Sequence, residues 1–420
     1  MRFNTLRKWL EWQSGLHPKE IELGLERVAG VWEKIHPDPF PCKFITVAGT
    51  NGKGSCVAFL DAILRAGGYR TGCYTSPHLL RYNERIRIDG LEVDDEAICR
   101  AFERVDQARF GASLTYFEFG TLAALDLFAG EKLDVVILEV GLGGRLDAVN
   151  IIDPDVALIT TVDMDHTEWL GETREEIGLE KAGIMRTGRD AVYGDLNPPD
   201  SLLKQAEALR TPLSLAGRDF SFHAVDQSWH WQGRERRRHS LPFPHLRGRF
   251  QLQNASAVLM VLECLSRDMP IDQQAVRQGL QSAQLRGRFE VLGRNPQVIL
   301  DVAHNVQAAE ALAENLRNIY CPGRTLAVFA MLADKEVKRV APIMDPLVDH
   351  WYLGDLDANR AMPAEKIATE LKMAGVAHDK LSRYSSLAEA LAAARMEAGE
   401  DDRLLVFGSF YTVGGVLELL

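Results

Sequence analysis

Apolar residues in this chain fall into short continuous runs, and the stretches between them repeat at helical spacing. Residues 44–48 form a short β-rich run that stops at a glycine-rich stretch. Beyond it Val57, Leu60 and Leu64 recur at helical spacing until Gly67-Gly68 ends the pattern. This predicts strand, glycine loop and helix in that order. Further buried strands are predicted at 72–75, 134–140, 156–161 and 191–194, with helices such as 94–108 and 117–127 between them. Continuous apolar strands separated by helices predict a parallel sheet covered on both faces.

The region 219–241 has a different pattern. SFHAVDQSWHWQ and RRRHSLPF flank Gly233 and predict a β-hairpin, with the basic cluster RERRRH (234–239) at its turn. The α/β pattern restarts near 284–289, with strands predicted at 298–302, 325–331, 350–353 and 403–407. The expected fold is α/β. It has an N-terminal phosphate-loop domain with a mostly parallel sheet (1–283) and a smaller C-terminal Rossmann-like α/β domain (284–420). In sheets of this kind ligands gather at the carboxyl ends of the strands.

Composition narrows the function classes. The chain has 420 residues, 48 basic and 59 acidic, for a formal net charge of −11. That balance argues against general nucleic-acid binding, and it requires a site for anionic substrates to supply its own positive charge. The basic cluster at 234–239 is therefore read as a solvated hairpin tip. Cys42, Cys56, Cys73, Cys99, Cys264 and Cys321 form no C-x-x-C pair, so reduced thiols are expected. The N-terminal MRFNTLRKWLEWQS has no signal-peptide core, and no apolar run reaches the roughly 20 residues that span a bilayer. A soluble cytoplasmic protein without a membrane partner is expected.

The candidate chemistry begins at GTNGKGS (49–55). It departs from the common phosphate loop because Gly54, not a hydroxyl residue, follows Lys53, and Ser55 comes one position later. The strand–loop–helix context still suits an anion. Glycines let the backbone close round it, a helix N-terminus offers N–H groups, and Lys53 adds a full charge. Ser76 and His78 follow the next strand. Ser76 offers an oxygen to a hard cation, whereas His78 reads as structural. Arg81, Arg85 and Arg87 either serve anions or are solvated. In LEVGLGGRLDAVN (138–150), Glu139 ends an apolar strand, where a carboxylate is costly unless it meets a cation or donors. Arg145 and Asp147 are placed to orient a ligand. His166 lies past another strand end among Asp163, Asp165 and Glu168, and is either a metal ligand or a satisfied polar residue. Lys181, in EKAGIMR, is unremarkable from pattern alone. Asn254 is read as opening an apolar helix, Arg288 sits at the restart, and Asp301 and His304 end the first C-terminal strand. Together these suggest a nucleotide held between two domains.

In chain order GTNGKGS, SPHL, ERIRI, FEFGTLAAL, LEVGLGGRLDAVN, DHTEWLG, EKAGIMR, GRFE and DVAHN resemble the signatures of the folylpolyglutamate synthase and dihydrofolate synthase family, within the Mur ligase superfamily. The resemblance runs from Ile21 to the C-terminal GSFYTVG. It implies that Thr50, Asn51, Gly52 and Lys53, with Gly54 and Ser55, form the loop that cradles the ATP phosphates. Ser76 and Glu139 would bind one Mg²⁺ and His166 a second. Lys181 would be carbamylated in support of the second metal, making Lys53, His166 and Lys181 the catalytic residues. Asn254, Arg288 and Asp301 would contact ATP. Ile21, Glu22, Leu23, Thr115, Leu146, Asp147 and Ala148 match the pteroate side, and Val149 departs from the threonine that members commonly carry.

LHPKEIELGLERV and LTYFEFGT look like the bacterial bifunctional form. That form adds L-glutamate to dihydropteroate and to tetrahydrofolates through an acyl phosphate, releasing ADP and phosphate as the C-terminal domain closes over ATP and glutamate. A monomer without nucleic-acid partners is implied. The alternatives are a monofunctional folylpolyglutamate synthase, a murein-type ligase and a nucleotide-binding module without catalysis.

Overall fold

The computed structural model describes every residue except Pro37, Pro39, Phe40, Arg294 and Asn359. The chain divides into two compact units. The first comprises Met1–His78, Tyr82–His245 and Gln251–Gln284, and the second Leu79–Arg81, Leu246–Phe250 and Leu285–Leu420.

The first unit is built on an eight-stranded sheet. Its strands are β1 (Lys43–Ala48), β2 (Thr71–Tyr74), β3 (Ile86–Ile88), β4 (Leu91–Glu92), β5 (Val135–Glu139), β6 (Val156–Ile159), β7 (Asp190–Tyr193) and β8 (Leu213–Leu215), in the order β4-β3-β2-β5-β1-β6-β7-β8. All pairings are parallel except those of β3 with β2 and β4. β2, β5 and β6 are buried at every position, as strands covered on both faces must be. The α-helices that accompany them among the described residues are α1 (Leu6–Ser14), α2 (Glu26–Ile35), α3 (Lys53–Ala66), α4 (Asp95–Ala108), α5 (Tyr116–Ala129), α6 (Thr167–Leu170), α7 (Arg174–Ala182), α8 (Asp200–Ala208), α9 (Arg249–Cys264, whose first two residues fall in the second unit) and α10 (Gln273–Ser282). α5 is apolar nearly all round and accordingly buried along almost its whole length.

The register decides where chemistry can gather. β1 lies between β5 and β6, pairing Val47 with Glu139 and Ala48 with Ile159, while β2 pairs Tyr74 with Leu138. The glycine loop, Ser76, Glu139 and Thr160 therefore emerge along one carboxyl edge.

The region read as a hairpin is a three-stranded antiparallel sheet, β9 (Ser221–Val225), β10 (Ser228–Gln232) and β11 (Arg237–Pro242). The additional turn is Asp226-Gln227, with Asp226 at φ 43°, a tight connection that carries no glycine to mark it. The basic cluster is only partly at a turn, because Arg237, Arg238 and His239 belong to β11. The turn itself is anchored: the buried Glu263 carboxylate on α9 accepts N–H bonds from Arg234, Glu235 and Arg236 at 2.9–3.1 Å. Arg238 is buried and donates to the Ile271 carbonyl at 2.9 Å.

The second unit holds a six-stranded sheet of order β12-β13-β17-β14-β15-β16. Its strands are β12 (Glu290–Leu292), β13 (Gln297–Asp301), β14 (Thr325–Phe329), β15 (His350–Gly354), β16 (Leu381–Tyr384) and β17 (Arg403–Phe407), parallel except for β12 against β13. Separate apolar cores include Ile299, Ala327, Leu353 and Leu405 in one cluster and Leu300, Val328, Tyr352 and Val406 in the other, the alternation expected of strands covered on both faces. β12 and β16, short and only partly buried, had no apolar run to announce them.

Candidate active site

The glycine loop joins β1 to α3 and is laced to the strand end beside it. Thr50 N–H donates to the Thr161 carbonyl at 2.9 Å, and its hydroxyl donates to the Asp163 carbonyl at 3.1 Å. The Thr160 hydroxyl donates to the Asn51 carbonyl at 2.6 Å, and Asn51 N–H bonds the Thr161 hydroxyl at 3.2 Å. Gly52 is the N-cap of α3 at φ 87°, so no side chain caps the first turn of the helix. Its N–H groups are the kind of donors that bind anions. The Lys53 ammonium folds back onto the Gly49 and Thr50 carbonyls at 3.0 and 3.3 Å.

Asn254 reaches this loop from far along the chain. A Cβ at Gly52 would lie 2.6 Å from the Asn254 Oδ1, so only glycine permits the approach. Asn254 does not open its helix, as expected from the pattern. α9 begins at Arg249 and places Asn254 in its second turn. The first turn presents Gln251, which accepts from Asn254 Nδ2 at 3.1 Å and donates to the Ser55 hydroxyl at 3.2 Å. The i,i+3 spacing of Gln251 and Asn254 is the sequence signal for this pair on one helix face.

Two strand ends away, Ser76 N–H donates to Glu139 Oε2 at 3.2 Å. Glu139 is buried at the tip of β5. His78 is structural: its Nδ1 accepts from Arg85 Nε at 2.8 Å, and burial together with that guanidinium lowers its pKa to about 4, which keeps it neutral. Arg85 is buried rather than solvated and lies over the rings of Tyr82 and Tyr116. His166 caps α6 in the left-handed region at φ 52°, with Nε2 4.0 Å from Asp165 Oδ1.

Lys181 is the residue that pattern could not single out. It is buried in α7, and burial first, then the neighbouring charge of Lys53, lowers its ammonium from 10.5 to about 7; Asp165 and Asp147 oppose the shift. Loop 141–148 packs directly over α7. A Cβ at Gly144 would stand 2.8 Å from the Glu180 carbonyl and 3.1 Å from the Lys181 Cα. Arg145 extends from this loop into an exposed ion pair with Glu180 at 2.7 Å. Asp147 is buried, accepting from Leu142 and Val149 N–H at 2.8 and 3.1 Å. Burial raises its carboxyl to about 6 against those bonds and Lys53.

The remaining positions that the resemblance assigns to the pteroate lie on three segments, two of them linked by a hydrogen bond. Ile21, Glu22 and Leu23 are half-buried in the segment between α1 and α2. The next residue, Gly24, donates from its N–H to the Leu146 carbonyl at 3.3 Å. Ala148 is buried, and Thr115 caps α5 in a capping box with Glu118. In the second unit, Asp301 is half-buried at the end of β13 and accepts from Phe289 and Ala303 N–H at 2.8 Å each. Burial raises its carboxyl, and Arg288 opposes the shift. Arg288 itself lies 5.2 Å over the Phe410 ring, a partner that pattern did not reveal. His304 Nδ1 pairs with the Val302 carbonyl at 2.8 Å.

Among the described residues no three His, Cys, Asp or Glu side chains form a metal cage. A buried carboxylate bonded to a serine N–H is a sparse donor set. It suits Mg²⁺, which keeps its waters and is completed by substrate phosphates, better than an ion that needs a full protein shell. Among the described residues no helix is long and apolar enough to cross a membrane.

Residues 47–262 match the Mur ligase middle domain, and residues 287–410 match the Mur ligase, glutamate ligase domain. The dihydrofolate synthase/folylpolyglutamate synthase of Escherichia coli strain K12 is 41% identical, covering 99% of this chain and 96% of the relative. The structure of Escherichia coli FolC in complex with DHPP and ADP superposes with a TM-score of 0.92 at 41% identity, over 99% of this chain and 97% of that one. A bifunctional folylpolyglutamate synthase/dihydrofolate synthase with Mn, AMPPNP and L-glutamate bound has a TM-score of 0.90 at 43% identity, over 99% and 98%.

Proposed function

The chain belongs to the dihydrofolate synthase/folylpolyglutamate synthase family of Mur ligases, and on that premise we propose that it is an ATP-dependent ligase joining L-glutamate to dihydropteroate and to reduced folates. The observation that carries the reading is the gathering of the glycine loop, Asn254, the Ser76–Glu139 pair and the depressed Lys181 along one sheet edge.

A carboxylate is a poor acyl donor to an amine. A carboxylate oxygen of the pteroate or folate attacks the γ-phosphorus of ATP, and the bond to ADP breaks. The resulting acyl phosphate is attacked by the glutamate amine, and phosphate leaves. The loop N–H groups and Lys53 hold the polyphosphate, and Asn254 braces the loop at Gly52. Mg²⁺ at Ser76 and Glu139, and a second ion at His166, would supply charge neutralisation to the phosphates. Arg288 and Asp301 are assigned to ATP on the side of the second unit. Ile21, Glu22, Leu23, Thr115, Leu146, Asp147 and Ala148 are assigned to the pteroate.

Lys181 is suited to carbamylation. A carbamate forms from a neutral amine, and a lysine at about 7 is half neutral at neutral pH, against roughly one part in a few thousand for an ordinary lysine. We place the enzyme in the cytoplasm, in keeping with its six free cysteines, and propose a monomer, as the family resemblance implies.

The test is phosphate release with Mg-ATP and L-glutamate, with dihydropteroate or tetrahydrofolate added separately. Release with both, and a product heavier by one glutamate, is expected. Release with tetrahydrofolate alone would reduce the activity to polyglutamylation, and silence with both would refute the ligase reading.

A further inference from the structure

The segment 15–25, between α1 and α2, has no helix or strand of its own, yet it carries Ile21, Glu22 and Leu23. Something must hold so irregular a strap in one place if those residues are to meet a ligand. Its two ends are tied lightly. The Ser113 hydroxyl donates to the Leu16 carbonyl at 3.2 Å, and Gly24 N–H donates to the Leu146 carbonyl at 3.3 Å.

The middle is held by charge. The Glu22 carboxylate meets His17 Nε2 at 2.8 Å and Lys19 Nζ at 3.1 Å, but both of these belong to the strap and move with it. Its third partner is Arg27, in the first turn of α2. The same guanidinium reaches through Nη2 to Glu118 Oε1 at 2.8 Å. Glu118 is buried in the first turn of α5, and its other oxygen takes the Thr115 N–H at 2.7 Å.

Building on the ligase reading above, we infer that Arg27 is a positioning residue for the acceptor substrate: it latches the strap that carries Ile21–Leu23 onto the capped end of α5 that carries Thr115. The planar fork explains the choice of residue. One nitrogen faces each carboxylate, a division that the point charge of a lysine does not reproduce. The network runs Glu22, Arg27, Glu118, Thr115, so two groups of pteroate-side residues far apart in sequence are held in register by one side chain. Its bonds join segments assigned to the pteroate or folate, so the latch is expected to act on that substrate and not on ATP.

The experiment compares Arg27→Ala, Arg27→Lys and Glu118→Gln in the full-length protein. Glutamine at this position keeps the capping box but gives up the charge that faces Arg27. Steady-state KM for dihydropteroate, ATP and L-glutamate, kcat, and the thermal midpoint are measured for each. Arg27→Ala should raise the dihydropteroate KM between about ten- and a hundredfold, the range that loss of positioning can cost, and leave the ATP KM within about twofold. Arg27→Lys should fall between wild type and Arg27→Ala. Glu118→Gln should raise the same KM, and combining it with Arg27→Ala should add little, because both break one link.

A lowered thermal midpoint and kcat with an unchanged dihydropteroate KM would mean that Arg27 is only structural and would overturn the inference. Should Arg27→Ala fail to fold, Arg27→Lys and Glu118→Gln decide the question by the same criterion. Wild-type protein without acceptor-dependent phosphate release would instead sink the ligase reading on which the inference rests.

Discussion

Replacing Lys181 by methionine keeps the side chain's length and removes its charge. The wild-type ammonium is buried, and its pKa falls from 10.5 to about 7. Below pH 7 the folded and unfolded chains both hold the proton, and the folded chain bears the whole cost of burying it. Between about pH 7 and 10.5 the folded chain has released the proton and the unfolded chain has not. Stability therefore rises with pH in this window by about 1.4 kcal/mol per pH unit, and above 10.5 the cost is gone. A fall from 10.5 to about 7, at 1.36 kcal/mol per unit, corresponds to about 4–5 kcal/mol at neutral pH. Methionine escapes that cost and packs at similar volume, so Lys181→Met should be more stable than wild type at pH 7 by up to about 4 kcal/mol. The assay is urea unfolding of both proteins in CO2-free buffer from pH 7 to 9. The gap should shrink by about 1.4 kcal/mol per pH unit, while ligase activity is lost throughout. A gap that stays constant with pH would refute the claim that a buried, titrating amine is its source.

Gly52→Ala forces an L residue to φ 87° and places a methyl group 2.6 Å from the Asn254 Oδ1. A cost of about 1–2 kcal/mol in backbone conformation is expected, with the ATP KM raised at least about tenfold; an unchanged ATP KM would remove this contact from the nucleotide site. Asp147 has its carboxyl raised from 3.8 to about 6 by burial, so holding it ionised weakens the folded chain above pH 6 by about 3 kcal/mol. That weakening develops as pH rises from 3.8 to 6. Asparagine offers one oxygen to the two N–H groups that Asp147 accepts from, a cost of about 1–3 kcal/mol that does not vary with pH, so the stability of Asp147→Asn relative to wild type should improve by about 3 kcal/mol between pH 4 and pH 7.5, with pteroate-dependent activity lost. A relative stability that does not change with pH would refute the burial argument.

The chain's local order was legible because it is a matter of neighbours. The β1–loop–α3 unit, the apolar strands of both sheets and the restart near 284–289 follow from periodicity and glycine placement within some twenty residues. Reading failed where the signal was short or polar. The Asp226-Gln227 turn has no glycine, β12 is half-buried throughout and β16 at all but one position, and α9 begins five residues before Asn254.

The sequence by itself determined the alternation of elements, the anion-binding character of the loop at 49–55, and a family resemblance resting on ordered motifs. Tertiary structure alone decided the state and setting of the groups those motifs contain. Lys181 reads as an ordinary lysine until burial and Lys53 depress it. Gln251 and Asn254 join Ser55 and Gly52 across two hundred positions, and Arg27 meets Glu118 only where α2 and α5 come together. Periodicity is set by adjacent residues, but desolvation and Coulomb energy depend on which distant segments lie alongside, and only the folded chain brings those segments together.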